Sequence, residues 1–202
     1  MREAQIVAYV LVGAIVAGLL VNFCSKVPEM SRRDKRSACM TLQPSPRNEK
    51  LGTLPVAAPE LVAQGSDGKD YSLSQYRGKV VFLNFFAEWC QPCIDEFPHM
   101  QALANDLTGE DFVMLAVGSG TTWQAMTKKL KDMFPGGTKM TLLLDTSSGE
   151  GEIGDLPHSY GTEKLPESFL IDKQGRIRYY FINKREWSKG SARQCLRSLI
   201  EE

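Results

Sequence analysis

The sequence predicts an α/β domain, a central mixed β-sheet flanked by helices, carried behind a single apolar N-terminal span. Three observations predict it. Apolar runs of strand length at 80–86 and 111–118 alternate with segments whose apolar residues recur at helical spacing. The chain closes on two strand-like runs joined by a turn and one last amphipathic segment, an order that layers helices on one sheet. Near the start, residues 6–21 are almost wholly apolar, and no charge falls within 4–25.

Each segment follows in order. The apolar run is long enough to cross a bilayer, which takes roughly 17–25 helical residues. A secretory leader would have an apolar region of only about 7–15 residues and a small-residue cleavage site. Val21-Asn22-Phe23 is not such a site, and Asn22 and Phe23 are too large to precede a lipoprotein cysteine. Residues 1–25 therefore read as an uncleaved membrane anchor, a single transmembrane helix. Lys26, Arg32, Arg33, Lys35 and Arg36 follow it, which by the positive-inside rule would hold the rest of the chain in the cytoplasm. Residues 26–55, charged and then rich in Pro, Ser and Thr, read as a flexible linker.

The globular domain is expected over 56–202. Residues 61–63 and 70–73 flank the turn cluster Gln64-Gly65-Ser66-Asp67-Gly68-Lys69 and read as a β-hairpin. After strand 80–86, a helix opens at Cys90 and carries Phe97, Met100, Leu103, Ala104 and Leu107 on one face, with Pro98 expected to kink it. Strand 111–118, helix 122–134 and strand 140–145 come next. Strands 168–172 and 176–181 are joined by Lys173-Gln174-Gly175, and a helix over about 188–200 ends the chain.

The chain has 202 residues, zero formal net charge and 43% hydrophobic residues, enough for a core. No basic stripe with interleaved aromatics suggests nucleic-acid binding. Five cysteines are too few for a disulfide framework in a chain of this length. His99 and His158 have no metal-ligand spacing and read as surface or packing residues, and no second CxxC is present to make a zinc site. Cys195 falls on the apolar face of the last helix and is expected in the core; Cys24 and Cys39 are unassigned.

Trp89-Cys90-Gln91-Pro92-Cys93 carries the chemistry. It follows a buried strand and opens a helix, where unpaired backbone N–H groups and the helix dipole favour a thiolate at Cys90. Cys93 lies one turn on, able to close a disulfide with Cys90. An attacking thiolate beside a resolving thiol is sufficient for dithiol–disulfide exchange.

From Pro59 to about Ile200 the chain resembles the TlpA/ResA/CcmG-like membrane-anchored thiol–disulfide oxidoreductases of the thioredoxin superfamily. The matching segments are Leu73-Ser74-Gln75-Tyr76-Arg77-Gly78-Lys79, Asn84-Phe85-Phe86-Ala87-Glu88-Trp89-Cys90-Gln91-Pro92-Cys93, Glu96-Phe97-Pro98 and Leu165-Pro166-Glu167-Ser168-Phe169-Leu170-Ile171-Asp172. The resemblance implies a thioredoxin fold with an N-terminal β-hairpin. It makes Cys90 the nucleophile and Cys93 the resolving thiol. Trp89 would shield the disulfide and offer partners an apolar surface, and Pro92 would stiffen the redox turn. Pro166 would be a cis-proline beside the dithiol, with the Leu165 backbone free to pair with an extended client segment. Glu96 would move a proton during exchange and, by repulsion, raise the thiol pKa values. Glu167 would add a second acidic group. Asn84 stands where thioredoxin itself has a buried aspartate, which throws weight onto Glu96.

The resemblance also implies reduction of disulfides in extracytoplasmic clients, with apocytochrome c before haem attachment as one candidate, and re-reduction by a membrane electron donor of the DsbD/CcdA type. The redox pair needs no cofactor or metal. The spacer Gln91-Pro92 offers no cation to stabilise a thiolate, so a reductant is expected rather than an oxidase. Placing the domain outside the cytoplasm conflicts with the positive charges after the span. Two other readings stand beside this one. Cys90 and Cys93 could hold a metal or haem in transit, or the chain could be a peroxiredoxin-like thiol peroxidase, for which the residues Phe86-Ala87-Glu88-Trp89 before Cys90 are a poor match.

Overall fold

The computed structural model describes residue 5 and residues 11–22, 37–46, 48–147 and 149–202. Two consecutive parallel crossovers build the centre of the fold. Strand β4 (Val80–Phe86) leads through α1 (Gln91–Asp106) to β5 (Phe112–Gly118), and β5 leads through α2 (Trp123–Met133) to β6 (Thr141–Leu144). Both steps run in the same direction across the sheet. Right-handed crossovers therefore put both helices on one face.

The other strands complete an eight-stranded mixed sheet. They are β1 (Val56–Ala57), β2 (Val62–Gly65), β3 (Asp70–Ser72), β7 (Glu167–Ile171) and β8 (Arg176–Ile182). The order is β1-β8-β7-β4-β5-β6-β2-β3, and only β4–β5 and β5–β6 pair in parallel. The expected hairpin is β2–β3. It pairs through β2 with β6 and so extends the sheet rather than standing apart.

Strand periodicity sorts the core into two layers. Val80, Phe82, Phe86, Met114 and Ala116 face Phe97, Met100 and Leu103 of α1, Met126 and Leu130 of α2, and Ala192, Leu196 and Leu199 of α4 (Gly190–Ile200). Val81, Leu83, Phe85, Leu115 and Val117 face the other way, onto Leu61, Leu73, Tyr160 and Phe169. That second layer is covered by a 3-10 turn (Leu73–Tyr76), by loops and by the short α3 (Asp155–Ser159), a helix too brief to show a sequence period. β4 is buried along its whole length, as a strand covered on both faces should be. Pro98 lies within α1 without ending it.

In the N-terminal region one expectation lies partly outside the described residues and another is overturned. Residues 11–22 are helical and expose Leu11, Val12, Ile15, Leu19, Leu20 and Val21. Among the described residues no helix is long and apolar enough to cross a membrane, and residues 6–10 of the expected span lie outside the described residues. The stretch 26–55, expected as a flexible linker, is packed from residue 37 onward. Residues 37–41 form a helical turn that buries Ala38 and Cys39, with Leu42 buried just after it. Ser45 N–H donates to the Tyr180 carbonyl at 2.7 Å, and the buried Asn48 side chain donates to the Tyr160 carbonyl at 2.7 Å.

The strongest tie is covalent. Cys39 and Cys195 form a disulfide, 156 residues apart in sequence and fully buried. Cys195 is in the core, as its helix face required, but as half of a staple. Five cysteines looked too few for structural disulfides, yet one bridge suffices to fasten a single segment to α4.

Candidate active site

Cys90 caps the N-terminus of α1. Its Sγ accepts the backbone N–H of Cys93 at 3.3 Å, and its carbonyl accepts from Cys93 and Ile94. Gln91 is the first helical residue and Pro92 the second. Both lie within the first turn, where a missing proline N–H costs no helical bond. Cys90 and Cys93 are joined as a disulfide, with Cα atoms 5.3 Å apart. Cys90 keeps slight exposure and Cys93 has none, which is the asymmetry an attacking and a resolving sulfur need.

Trp89 is 50% exposed on the rim. Its indole N–H donates to the Gly120 carbonyl at 2.8 Å, and the Gly151 N–H donates to the same oxygen at 2.8 Å. Gly120 sits at φ +68°, and a Cβ there would meet the Glu152 carbonyl at 2.6 Å, so only glycine fits the loop that holds Trp89. That loop is fixed in turn by Ser119, which donates to Asp145 and accepts from the Gly154 N–H.

The Leu165–Pro166 bond is cis. In the antiparallel register Phe85 faces Glu167, so Pro166 lies beside the end of β4 from which the Cys90 turn departs. The Pro166 carbonyl accepts from the Asn183 N–H at 2.9 Å, leaving Leu165 as the residue before the ladder begins.

Glu96 is buried under the dithiol helix at 1% exposure. Its Oε1 accepts from the Arg185 backbone N–H at 3.0 Å and from the Trp187 indole N–H; its Oε2 faces the Asn84 amide at 3.4 Å. Burial pushes its pKa up to about 7, and the Arg185 and Trp187 donors, the Arg185 charge and Asn84 hold back a larger rise. A carboxyl that is half protonated near neutrality can both give and take a proton. Asn84 also donates to Ser168 Oγ at 2.9 Å, while its Oδ1 is buried without a partner. Turning that amide over would present Oδ1 to a protonated Glu96, so Asn84 can serve either charge state.

Glu167 does not join this network. Paired with Phe85, it points to the opposite face of the sheet from Asn84 and Glu96. There it is 4% exposed, accepts from Thr162 Oγ1 at 2.8 Å and borders a cavity of about 680 Å³ that also touches His158, Lys164 and Tyr180. Burial raises its pKa to about 7, with the Glu163 charge adding to the rise. The sequence marked Glu96 but gave no sign of Arg185 and Trp187. They lie 89 and 91 residues downstream, and no spacing rule connects them to a helix at 91–106. Among the described residues no group of three or more His, Cys, Asp or Glu is arranged to hold a metal ion.

The raised carboxyls set a pH dependence. A group whose folded pKa lies above its unfolded value stabilises fully below the unfolded value, and that contribution is lost as pH rises through the folded one. For Glu96 the window runs from about 4.5 to about 7, a difference of roughly 3 kcal/mol. Glu96→Gln keeps an oxygen for Trp187 and Arg185, and its amide meets Asn84 Oδ1 once the Asn84 amide turns over. The variant is expected to gain up to about 3 kcal/mol at pH 8 relative to wild type and little at pH 4. Urea unfolding of the oxidised proteins at pH 4, 6 and 8 measures this. Equal losses in both proteins between pH 4 and 8 would exclude Glu96 as the source.

The AhpC/TSA family model matches residues 55–180. The thiol-disulfide oxidoreductase ResA of Geobacillus thermodenitrificans is 33% identical over 121 residues, which is 60% of this chain and 64% of that protein. ResA of Bacillus subtilis is 32% identical over 120 residues, covering 59% and 62%. The chain thus spans a little under two thirds of the length of these relatives. Among solved structures, a candidate DsbE thiol:disulfide interchange protein from Chlorobium tepidum superposes with a TM-score of 0.60 at 30% identity, over 72% of this chain and 96% of that one. The thioredoxin-like fold, the closed CxxC disulfide and these matches lead to one assignment: the chain belongs to the AhpC/TSA family and is a TlpA/ResA-like member of the thioredoxin superfamily.

Proposed function

We propose that this protein is a thiol–disulfide oxidoreductase that reduces disulfides in extracytoplasmic client proteins. The observation that carries the proposal is the Cys90–Cys93 disulfide at the mouth of α1, with the Glu96 carboxyl buried on the same helix. In the reduced protein the Cys90 thiolate attacks a client disulfide, forming a mixed disulfide and releasing one client thiolate. The Cys93 thiolate then attacks Cys90 Sγ and frees the second client sulfur. Two electrons pass to the client and leave Cys90 and Cys93 oxidised. The two protons that complete the client thiols come from the protein's own thiols, with Glu96 as the group able to carry one between steps. Trp89, next to Cys90 in the chain, and the Leu165–Pro166 backbone, beside the end of β4, would receive the client.

Location is part of the same proposal. A buried disulfide away from the redox pair, Cys39–Cys195, is favoured where the surroundings are oxidising. That argues for the outer side of a membrane against the charges that follow residue 25. The exposed apolar face of helix 11–22 suits an anchor through residues 1–25. Apocytochrome c remains one candidate client, and a DsbD/CcdA-type donor the candidate source of electrons. Two sulfurs already paired three residues apart favour exchange over a lone-cysteine peroxidase.

Insulin reduction tests the reaction. The protein is expected to accelerate dithiothreitol-driven precipitation of insulin B chain at catalytic concentration. A rate equal to the protein-free control, together with tight metal or haem binding by the reduced protein, would replace this reading with the carrier alternative.

A further inference from the structure

Five hydrogen bonds converge on one side chain below the active site. The Arg185 guanidinium donates through Nε to the Leu42 carbonyl at 2.9 Å and through Nη2 to the Gln43 carbonyl at 3.1 Å. Through Nη1 it donates to the carbonyls of Ile182, Asn183 and Lys184 at 2.9, 3.1 and 3.0 Å. It thus laces the segment that carries Cys39 to the loop that follows β8. Its own backbone N–H, facing the other way, is the 3.0 Å donor to Glu96 Oε1.

The backbone on both sides is bent to make this joint. Among the described residues, the non-glycine residues with positive φ are Gln43 at 53° and Asn183 at 69°. Such conformations are uncommon and are kept only where the surroundings enforce them. Both residues turn their carbonyls onto Arg185. Behind Gln43, the Cys39–Cys195 disulfide fixes the segment to α4. Beyond Asn183, Trp187 is locked edge-on between Phe82 and Phe181, with centroids at 4.7 and 5.1 Å, and aims its N–H at Glu96.

We propose that Arg185 is a positioning residue for Glu96, and that the disulfide-anchored segment 37–46 acts on the redox site through it. This rests on the exchange reaction proposed above, for which Glu96 is the proton carrier. The guanidinium sets the path of the 182–187 loop, and the loop delivers two of the three donors that bind the carboxyl. Loosening the joint withdraws donors from the ionised form, so protonated Glu96 gains. The groups facing Glu96 are few. Among the described residues they are Asn84 from β4 and Arg185 and Trp187 from the loop, while on its own helix Cys93 precedes it by one turn. The neighbouring Asp95–Lys184 ion pair, at 2.7 Å, stays on the exposed side.

The test reads Glu96 itself. Oxidised protein labelled with [13C]glutamate is titrated by NMR, with Glu96→Gln identifying the resonance. Arg185→Lys keeps a cation but cannot bridge carbonyls from two segments. It is expected to raise the Glu96 midpoint by about half a unit to one unit. Cys39→Ala/Cys195→Ala, which leaves Cys90 and Cys93 intact, is expected to shift it in the same direction. Trp187→Phe serves as the reference for loss of one direct donor. A shift in Trp187→Phe with none in Arg185→Lys would overturn the proposal, because the loop would then hold its course without the joint. Should the double cysteine variant be too unstable to titrate, Arg185→Lys decides alone. Failure of insulin reduction would remove the proposed reaction without touching this titration.

Discussion

Cys90→Ser is expected to bring insulin reduction down to background, a loss of at least about 10³-fold, while Cys93→Ser is expected to stop the protein after a single half-reaction. The two outcomes differ because the two sulfurs differ in surroundings. Cys90 caps α1, where the Cys93 backbone N–H faces its Sγ, and it alone of the pair touches solvent. A serine hydroxyl there does not ionise at neutral pH and cannot attack a disulfide. Cys93 is sealed beneath it. Without Cys93 the first attack still forms a Cys90–client bond, but nothing within reach breaks it. Non-reducing electrophoresis should show the Cys93→Ser protein shifted upward by the mass of its client, reversibly with dithiothreitol. Cys90→Ser should give no such band. If the adducts formed instead through Cys93, the roles of nucleophile and resolver would be exchanged. Applied to a cell extract, the same trap identifies the clients.

Loss of the second disulfide is expected to be the largest effect on stability. Cys39→Ala/Cys195→Ala should lower the unfolding free energy by about 2–5 kcal/mol and the Tm by roughly 5–15 °C. The bridge spans 156 residues, so its absence enlarges the unfolded ensemble considerably, and in the folded state it pins a segment whose own apolar contribution is small. Calorimetry of the oxidised double variant against wild type measures the difference. An unchanged Tm would mean that Leu42, Ser45 and the Arg185 bonds hold the segment unaided.

The sheet and its longer helices are legible because their apolar periods are strong and their ends are marked. β4 is a continuous apolar run, α1 begins on a cysteine cap, and Thr122 accepts from the Ala125 N–H at the start of α2. The redox pair and the cis peptide were legible from motifs. What escaped was long-range. Nothing in the residues around Cys39 announces Cys195, since a buried cysteine on a helix face looks the same free or paired. Pro44-Ser45-Pro46 resembles a linker because the polar contacts around it are made by main-chain groups, the Leu42 and Gln43 carbonyls and the Ser45 N–H, which carry no side-chain signature. The resemblance implies a second acidic group at Glu167 near the site, but a one-residue step along a strand reverses the face, and Ser168 rather than Glu167 is the neighbour of Asn84.

The staple at Cys39 also sets a leash. If the chain were free from residue 26 to 55, some 30 residues would separate anchor and domain, a contour of roughly 100 Å at about 3.5 Å per residue. With residues 37–46 fastened to the domain, the covalent path from residue 25, where the proposed anchor ends, to residue 37 is only 12 peptide steps, a maximum of roughly 40 Å. Anchored as proposed, the dithiol would patrol a thin layer next to the bilayer. Its range would suit partners that are themselves held at the membrane better than partners that diffuse in bulk.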